Sequence, residues 1–406
     1  MKSLFIKYKI ELAVFITIIM TMLSNIALSI PHWNFLTFVI DYNTGFGGRK
    51  LIGTVVSTIL GGFVSIKSVI ILMLSFIIII TGVLSLLIGA FIKKLKSYGH
   101  GHYIFSIYTF ALYLFCPASL LFLVNSSNMG RMDGFIIILL FLFIPFYVRN
   151  KYKYSLVLLL SILSMLIHPI FACTYFAFYM AIMIYDSWSA GVDKRKVFVS
   201  LSICVILFVF FYFIQLAPKN VVNVDEAFAY LQSRTDYPLN KSSLYYEYYA
   251  PMNIHLQDWA IPNYPHSIVG LVLCLIFLSP VFLFFYVFWK GCIKESESKE
   301  RKRVFIMMNA SFLIMIPAFV VTVDYARWMA SYIICQFALI GILTYLGDKF
   351  ALNSSLNIYR RIRKYPVAAI LILLYLSSFP KFTDMVYPGF IENIIGFMGI
   401  PYISFF

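Results

Sequence analysis

Long apolar runs separated by short polar breaks repeat along the whole chain. The runs fall at 11–30, 68–92, 103–124, 134–148, 154–168, 170–187, 196–216, 267–289, 304–322, 329–347 and 366–380. Several exceed the ~18 residues that mark a membrane-helix candidate, so the pattern predicts an all-α polytopic membrane protein with about eleven spans. Two of the runs, 134–148 and 154–168, are short for a straight crossing and predict tilted or partly buried helices. Residues 51–66, LIGTVVSTILGGFVSI, are shorter than a span and carry two threonines, two serines and three glycines. They predict an interfacial or re-entrant helix. No stretch is polar enough to fold as a separate soluble domain. Residues 1–406 therefore read as one integral membrane domain, with a first outer loop at 31–67 and a large one at 217–266.

Orientation follows from where Lys and Arg fall. With the N-terminus cytoplasmic, the inner segments are 1–10, 93–102, 149–153, 188–196, 290–303 and 348–365, and they hold 23 of the 32 Lys and Arg residues. The C-terminus then lies outside. The net charge of +15 is a topology signal rather than the footprint of a nucleic-acid partner. Composition agrees with the threading: 62% of residues are hydrophobic and 12% charged, against ~25% charged in soluble domains. The first run follows Lys2, Lys7 and Lys9 and ends without a small-x-small cleavage site, which predicts a retained signal anchor. All six cysteines stand alone in the sequence, so neither a disulfide nor a zinc site is expected.

Ionisable residues near membrane depth are costly and mark function by default. Here they gather at the outer ends of the spans. Asp41, Arg49 and Lys50 lie in DYNTGFGGRK, Arg131 and Asp133 in NSSNMGRMDG, His168 in IHP, and Asp324 and Arg327 in DYARW. Arg234 and His255 lie in the large loop, whose SSLYYEYYAP stretch is too rich in tyrosine for a disordered linker. Each has a plain reading: a local helix-turn ion pair for Asp324 and Arg327, interfacial charges for Arg131 and Asp133, a satisfied buried histidine for His168. Jointly they say more. Three outer turns each pair an Arg with an Asp, and two contain glycines that admit close backbone approach. The planar guanidinium suits phosphate, and a neighbouring carboxylate suits proton abstraction from a sugar hydroxyl. Walker A, Rossmann, HExxH, GxSxG and DxD patterns are absent, so no metal or cofactor is expected.

In topology and composition, with GFGGRK, NMGRMD and DYARW as its periplasmic arginine and acid pattern, the chain resembles the bacterial O-antigen and capsule polymerases of the Wzy type. These are related to the GT-C membrane glycosyltransferases and to the O-antigen ligases. The resemblance covers the whole chain but rests on no short diagnostic motif. It implies a GT-C-like fold in the bacterial inner membrane. The implied reaction is metal-independent joining of undecaprenyl-pyrophosphate-linked oligosaccharide repeat units at the periplasmic face, for lipopolysaccharide or another surface polysaccharide. Asp133, Asp324, His168 and Asp41 would be the catalytic set, and Arg49, Lys50, Arg131, Arg327, Arg234 and His255 would bind pyrophosphate and glycan. The implied partners are lipid-linked donor and acceptor, membrane lipid and a chain-length regulator protein. Two alternatives stand beside it: a GT-C enzyme adding one sugar from a polyprenyl-phosphate donor, and a transporter or flippase of lipid-linked oligosaccharides, to which the mid-span Asn309 and Gln336 would belong.

Overall fold

The computed structural model describes residues 7–23, 26, 28–124, 128–149, 152–216, 223–250, 254–379 and 389–400. They form an all-helical assembly. In chain order its α-helices are α1 (Lys9–Leu23), α2 (His32–Val39), α3 (Leu51–Ile59), α4 (Ile66–Tyr98), α5 (His100–Phe115), α6 (Asp133–Val148), α7 (Lys153–Ile167), α8 (Phe176–Trp188), α9 (Lys194–Leu216) and α10 (Val224–Gln232). They continue as α11 (Lys241–Leu244), α12 (Ile261–Phe277), α13 (Ser279–Glu295), α14 (Lys299–Ala310), α15 (Ile316–Val321), α16 (Tyr325–Tyr345), α17 (Lys349–Lys364), α18 (Pro366–Ser377) and α19 (Gly389–Phe397).

Among the described residues, four helices are long and apolar enough to cross a membrane: α4, α9, the run Lys299–Val321 that joins α14 to α15, and α16. The pair α12 and α13 makes a fifth if its two halves count as one crossing. The apolar helices α6, α7 and α18 have 16, 15 and 12 residues, short of the ~20 that a straight span requires.

Backbone chemistry sets the boundaries, and it departs from the expected spans where proline intervenes. The run 267–289, expected as one span, is two helices bent by 65° about Leu278. Pro280 stands two residues on, and its missing N–H and ring clash break the helical ladder. The run 103–124 stops as an α-helix at Phe115, before Pro117, and resumes as the 3-10 stretch Leu120–Val124. In 170–187 the segment opens as a 3-10 turn behind Pro169, and regular helix begins only at Phe176. Residues 51–66, by contrast, hold the nine-residue α3, ~14 Å long and less than half of a bilayer core. It packs closely on α2: a side chain at Gly53 would overlap the Ile40 carbonyl oxygen, 1.8 Å from the Cβ position.

The centre of the bundle is α16, with 78% of its apolar window buried, while α9 has 17% and presents Phe198, Phe208 and Phe213 outward. A helix apolar all round but unburied is solvated by lipid. The mid-span polar residues have local partners. Trp289 Nε1 donates to Gln336 Oε1 at 2.7 Å, and Asn309 donates to its own helix at the Phe305 carbonyl. Chain direction gives the bundle two ends. One carries α2, α3 and the segment 223–250 (the loop end). The other carries Lys93–Lys96, Arg149 and Lys290–Arg303 (the basic end).

Candidate functional site

At the loop end, the first turn of α16 places Arg327 against two carboxylates. Nη1 donates to Asp324 Oδ2 at 2.7 Å, three residues back, and Nη2 donates to Asp133 Oδ2 at 2.7 Å, 194 residues away. The local ion pair is therefore real but half of the arrangement. The side chains of Arg327 and Asp133 are 2% and 1% exposed, so both ions depend on each other rather than on water. The Trp328 ring lies 4.9 Å from the guanidinium. Asp133 opens α6, where the helix dipole favours a carboxylate, and its Oδ1 is approached by the Tyr175 hydroxyl at 3.4 Å. Asp324 differs: its Oδ1 is buried and has no hydrogen-bond partner among the described residues.

Two further arginines join this centre. Arg131 ends a turn closed by its N–H on the Asn128 carbonyl, with Gly130 in the left-handed region at φ 88°. Asn34 of α2 holds the turn by donating to the Met129 carbonyl at 2.9 Å, and the Arg131 guanidinium lies 6.0 Å from the Trp33 ring. Arg49 is itself left-handed at φ 67° and donates its N–H to the Leu166 carbonyl at the end of α7. Gly48 permits that approach, since a Cβ there would meet Pro169 at 2.4 Å. Arg49, Arg131, Arg327, Asp133 and Asp324 lie close enough to feel one another's charge, and Tyr248 of the large loop lies beside Arg49. Burial holds the Arg131 guanidinium below its ordinary pKa, and Arg327 adds to the effect; burial also lowers Arg49.

Among the described residues, three guanidinium groups thus gather around two carboxylates in a buried site. His168 completes the wall. Its Nδ1 accepts from the Ile170 N–H at 3.2 Å, which leaves the ring neutral with its proton on Nε2. In that tautomer His168 is a hydrogen-bond donor rather than a base.

The remaining expected site residues lie apart from this centre. Asp41 is ion-paired with Arg234, and also accepts from Asn43 and from the Tyr230 hydroxyl at 3.3 Å. Arg234 spends its other donors on the Gly62 carbonyl at 2.9 Å, the Tyr230 hydroxyl and Ser57. Together they buckle the segment 223–250 to α3. Lys50 Nζ donates to the Thr44 carbonyl, the Thr44 hydroxyl and the Gly45 carbonyl within 3.1 Å, which fastens the GFGG turn. The His255 backbone lies in the π-turn His255–Ala260; its side chain lies outside the described residues. Sequence reading did not single out Tyr175, whose only signal is a hydroxyl in an apolar run, nor Tyr248 apart from its tyrosine cluster. Searches of family models, curated proteins and solved structures find no match for this chain.

Proposed function

We propose that the chain is a membrane glycosyltransferase that joins lipid-linked oligosaccharide repeat units, with the loop end outside and the basic end in the cytoplasm. In this reading the shorter apolar helices also lie within the bilayer, giving the eleven-span threading in a bacterial inner membrane. The observation that carries the reading is the buried cluster: three guanidinium groups gathered around two carboxylates, with Asp324 Oδ1 buried and making no hydrogen bond among the described residues. Such a site suits an anionic leaving group and a proton to be removed, and it requires no nucleotide.

The acceptor hydroxyl oxygen bonds to the anomeric carbon of the donor sugar, and its proton passes to Asp324 Oδ1. The bond from that carbon to the pyrophosphate breaks, with the electron pair leaving on the phosphate oxygen. Arg131 and Arg49 balance the departing charge, the largest electrostatic task of the step, and His168 donates from Nε2. Asp133 and Tyr175 hold Arg327, and through it Asp324.

The test is gel analysis of glycan made by membranes supplied with a lipid-linked repeat. Asp324→Asn lowers polymer formation by ~10²–10⁴-fold while protein level is kept. Arg131→Ala abolishes long chains and Arg131→Lys restores them in part, because an ammonium lacks the forked donors. Unchanged ladders in Asp324→Asn and Arg131→Ala would reduce the cluster to a structural ion network. Product length separates this reading from a single-addition transferase, which yields one new band. The bent pair α12 and α13 favours a second reading, transport, since carriers place their sites at broken helices. In that case the same variants trap repeat units on the cytoplasmic leaflet.

A further inference from the structure

Below the arginine cluster, toward the basic end, the helices do not close on one another. A cavity of about 360 Å³ lies between α4, α5, α6 and α16, walled by Phe91, Phe110, Phe141, Phe337, Ala338 and Gly341. Along α16 its lining runs from Ile334 to Tyr345, ~16 Å at the helical rise. That matches the ~15 Å of one leaflet of a bilayer core. At its Tyr345 end the lining also includes Arg149, the residue that closes α6. Arg149 is exposed and has no ion pair among the described residues. Asp186, the acid that follows on this face, is committed to Lys153 and Lys196.

Gly341 bears on whether the space is an accident of packing. Glycine weakens a helix interior, and several helical glycines here have a steric reason: Gly53 against Ile40, Gly89 against Glu11, Gly291 against Ser354. At Gly341 an added Cβ would meet nothing within 4 Å. The missing side chain leaves the cavity open and relieves no contact.

We propose that this cavity binds one acyl chain of an anionic phospholipid whose phosphate rests on Arg149. An apolar slot of one-leaflet depth with a cation at its mouth matches a phospholipid in length, polarity and charge. A lipid-linked glycan fits less well. The arginine cluster stands at the other end of α6, 16 residues away, ~24 Å at the helical rise, and a single guanidinium suits the single charge of a phosphodiester. This assignment is independent of the reaction proposed above.

The experiment uses the full chain in detergent, washed free of bulk lipid, with retained lipid extracted and identified by mass spectrometry. It is then reloaded with phosphatidylglycerol or phosphatidylcholine and observed by native mass spectrometry. About one phospholipid per chain is expected to survive the wash, with phosphatidylglycerol preferred about fivefold, the value of one basic residue near an anionic headgroup. Gly341→Leu fills the open space and brings retained lipid to background, at unchanged elution volume and helical content. Arg149→Gln, at an exposed position, keeps the chain folded and removes the preference. Ala338→Leu repeats the blocking test should Gly341→Leu fail to assemble. No lipid surviving the wash, full retention by the blocked variants, no headgroup preference in the unaltered chain, or a polyprenyl phosphate in place of the phospholipid would each overturn the assignment.

Discussion

The two ends of α16 each hold an arginine paired with a buried aspartate, and they solve the problem of buried charge differently. Just past its basic end, Arg301 pairs with Asp348 and donates to the Ser189 carbonyl at 3.0 Å. The rings of Tyr185, Phe305 and Phe350 lie 4.9, 5.0 and 5.6 Å from its guanidinium. Asp348 has no spare oxygen: Oδ1 caps α17 through the Phe350 and Ala351 N–H groups, and Oδ2 takes Arg301 and the Tyr185 hydroxyl. One cation meets one anion and every acceptor is used. At the loop end, three arginines gather around two aspartates, and among the described residues one carboxylate oxygen, Asp324 Oδ1, makes no hydrogen bond. A closed pair is what a structural tie needs. An open centre stabilises little by itself, because desolvation offsets most of the attraction; in the proposed reaction the substrate completes it.

The largest expected effect breaks this comparison by exchanging charge for apolar bulk at each end. Arg301→Ala strands Asp348 and costs ~3–5 kcal/mol, read as a large drop in melting temperature or as loss of protein from the membrane. Arg301→Met with Asp348→Asn keeps the helix cap, removes both charges and restores most of that stability with full glycan synthesis. The matching change at the loop end, Arg327→Met with Asp133→Leu, recovers less stability, because Asp324 also loses its guanidinium, and makes no polymer. Polymer from that variant would show the two ends to be equivalent, and the distinction drawn here would fall.

A smaller effect sharpens the contrast by touching a third pair. Asp41 and Arg234 are mutually satisfied like the basic-end pair, yet they lie at the loop end, as the open centre does. Arg234→Ala is expected to cost ~1–3 kcal/mol locally, as the buried Asp41 carboxylate loses its cation but keeps Asn43 and Tyr230. It should also free the segment 223–250 from α3. Limited proteolysis within 223–250 should become faster, and glycan chains shorter rather than absent. Complete loss of chains at normal protein level would move Arg234 from buckle to binding group.

Much of this was legible in the sequence, for a definite reason. Arg131, Asp133, His168, Asp324 and Arg327 lie at helix ends inside apolar runs, where any charge stands out, and their chemistry is local. The Asp324–Arg327 pair could be read from spacing alone. That Arg327 also grips Asp133 could not, because nothing in a 194-residue separation encodes the contact. The same limit applies to Asp41 and Arg234, which lie in suggestive motifs but find each other. The helix breaks were nominally readable, since Pro117, Pro169 and Pro280 stand inside or at the edges of the expected spans, but hydropathy averages over a proline. Apolar content predicts that a segment enters the membrane, whereas backbone chemistry decides whether it does so as one rod.

Arg49 has a consequence of a different kind. It holds a left-handed backbone, which costs a side-chain-bearing residue ~1–2 kcal/mol, and burial opposes its charge. On both counts glycine would suit this position better, and Arg49→Gly is expected to raise thermal stability by up to ~1 kcal/mol while glycan synthesis falls. A selection for robustness alone would therefore be expected to discard this arginine. Laboratory evolution run once for heat resistance and once for polymer output should diverge at residue 49.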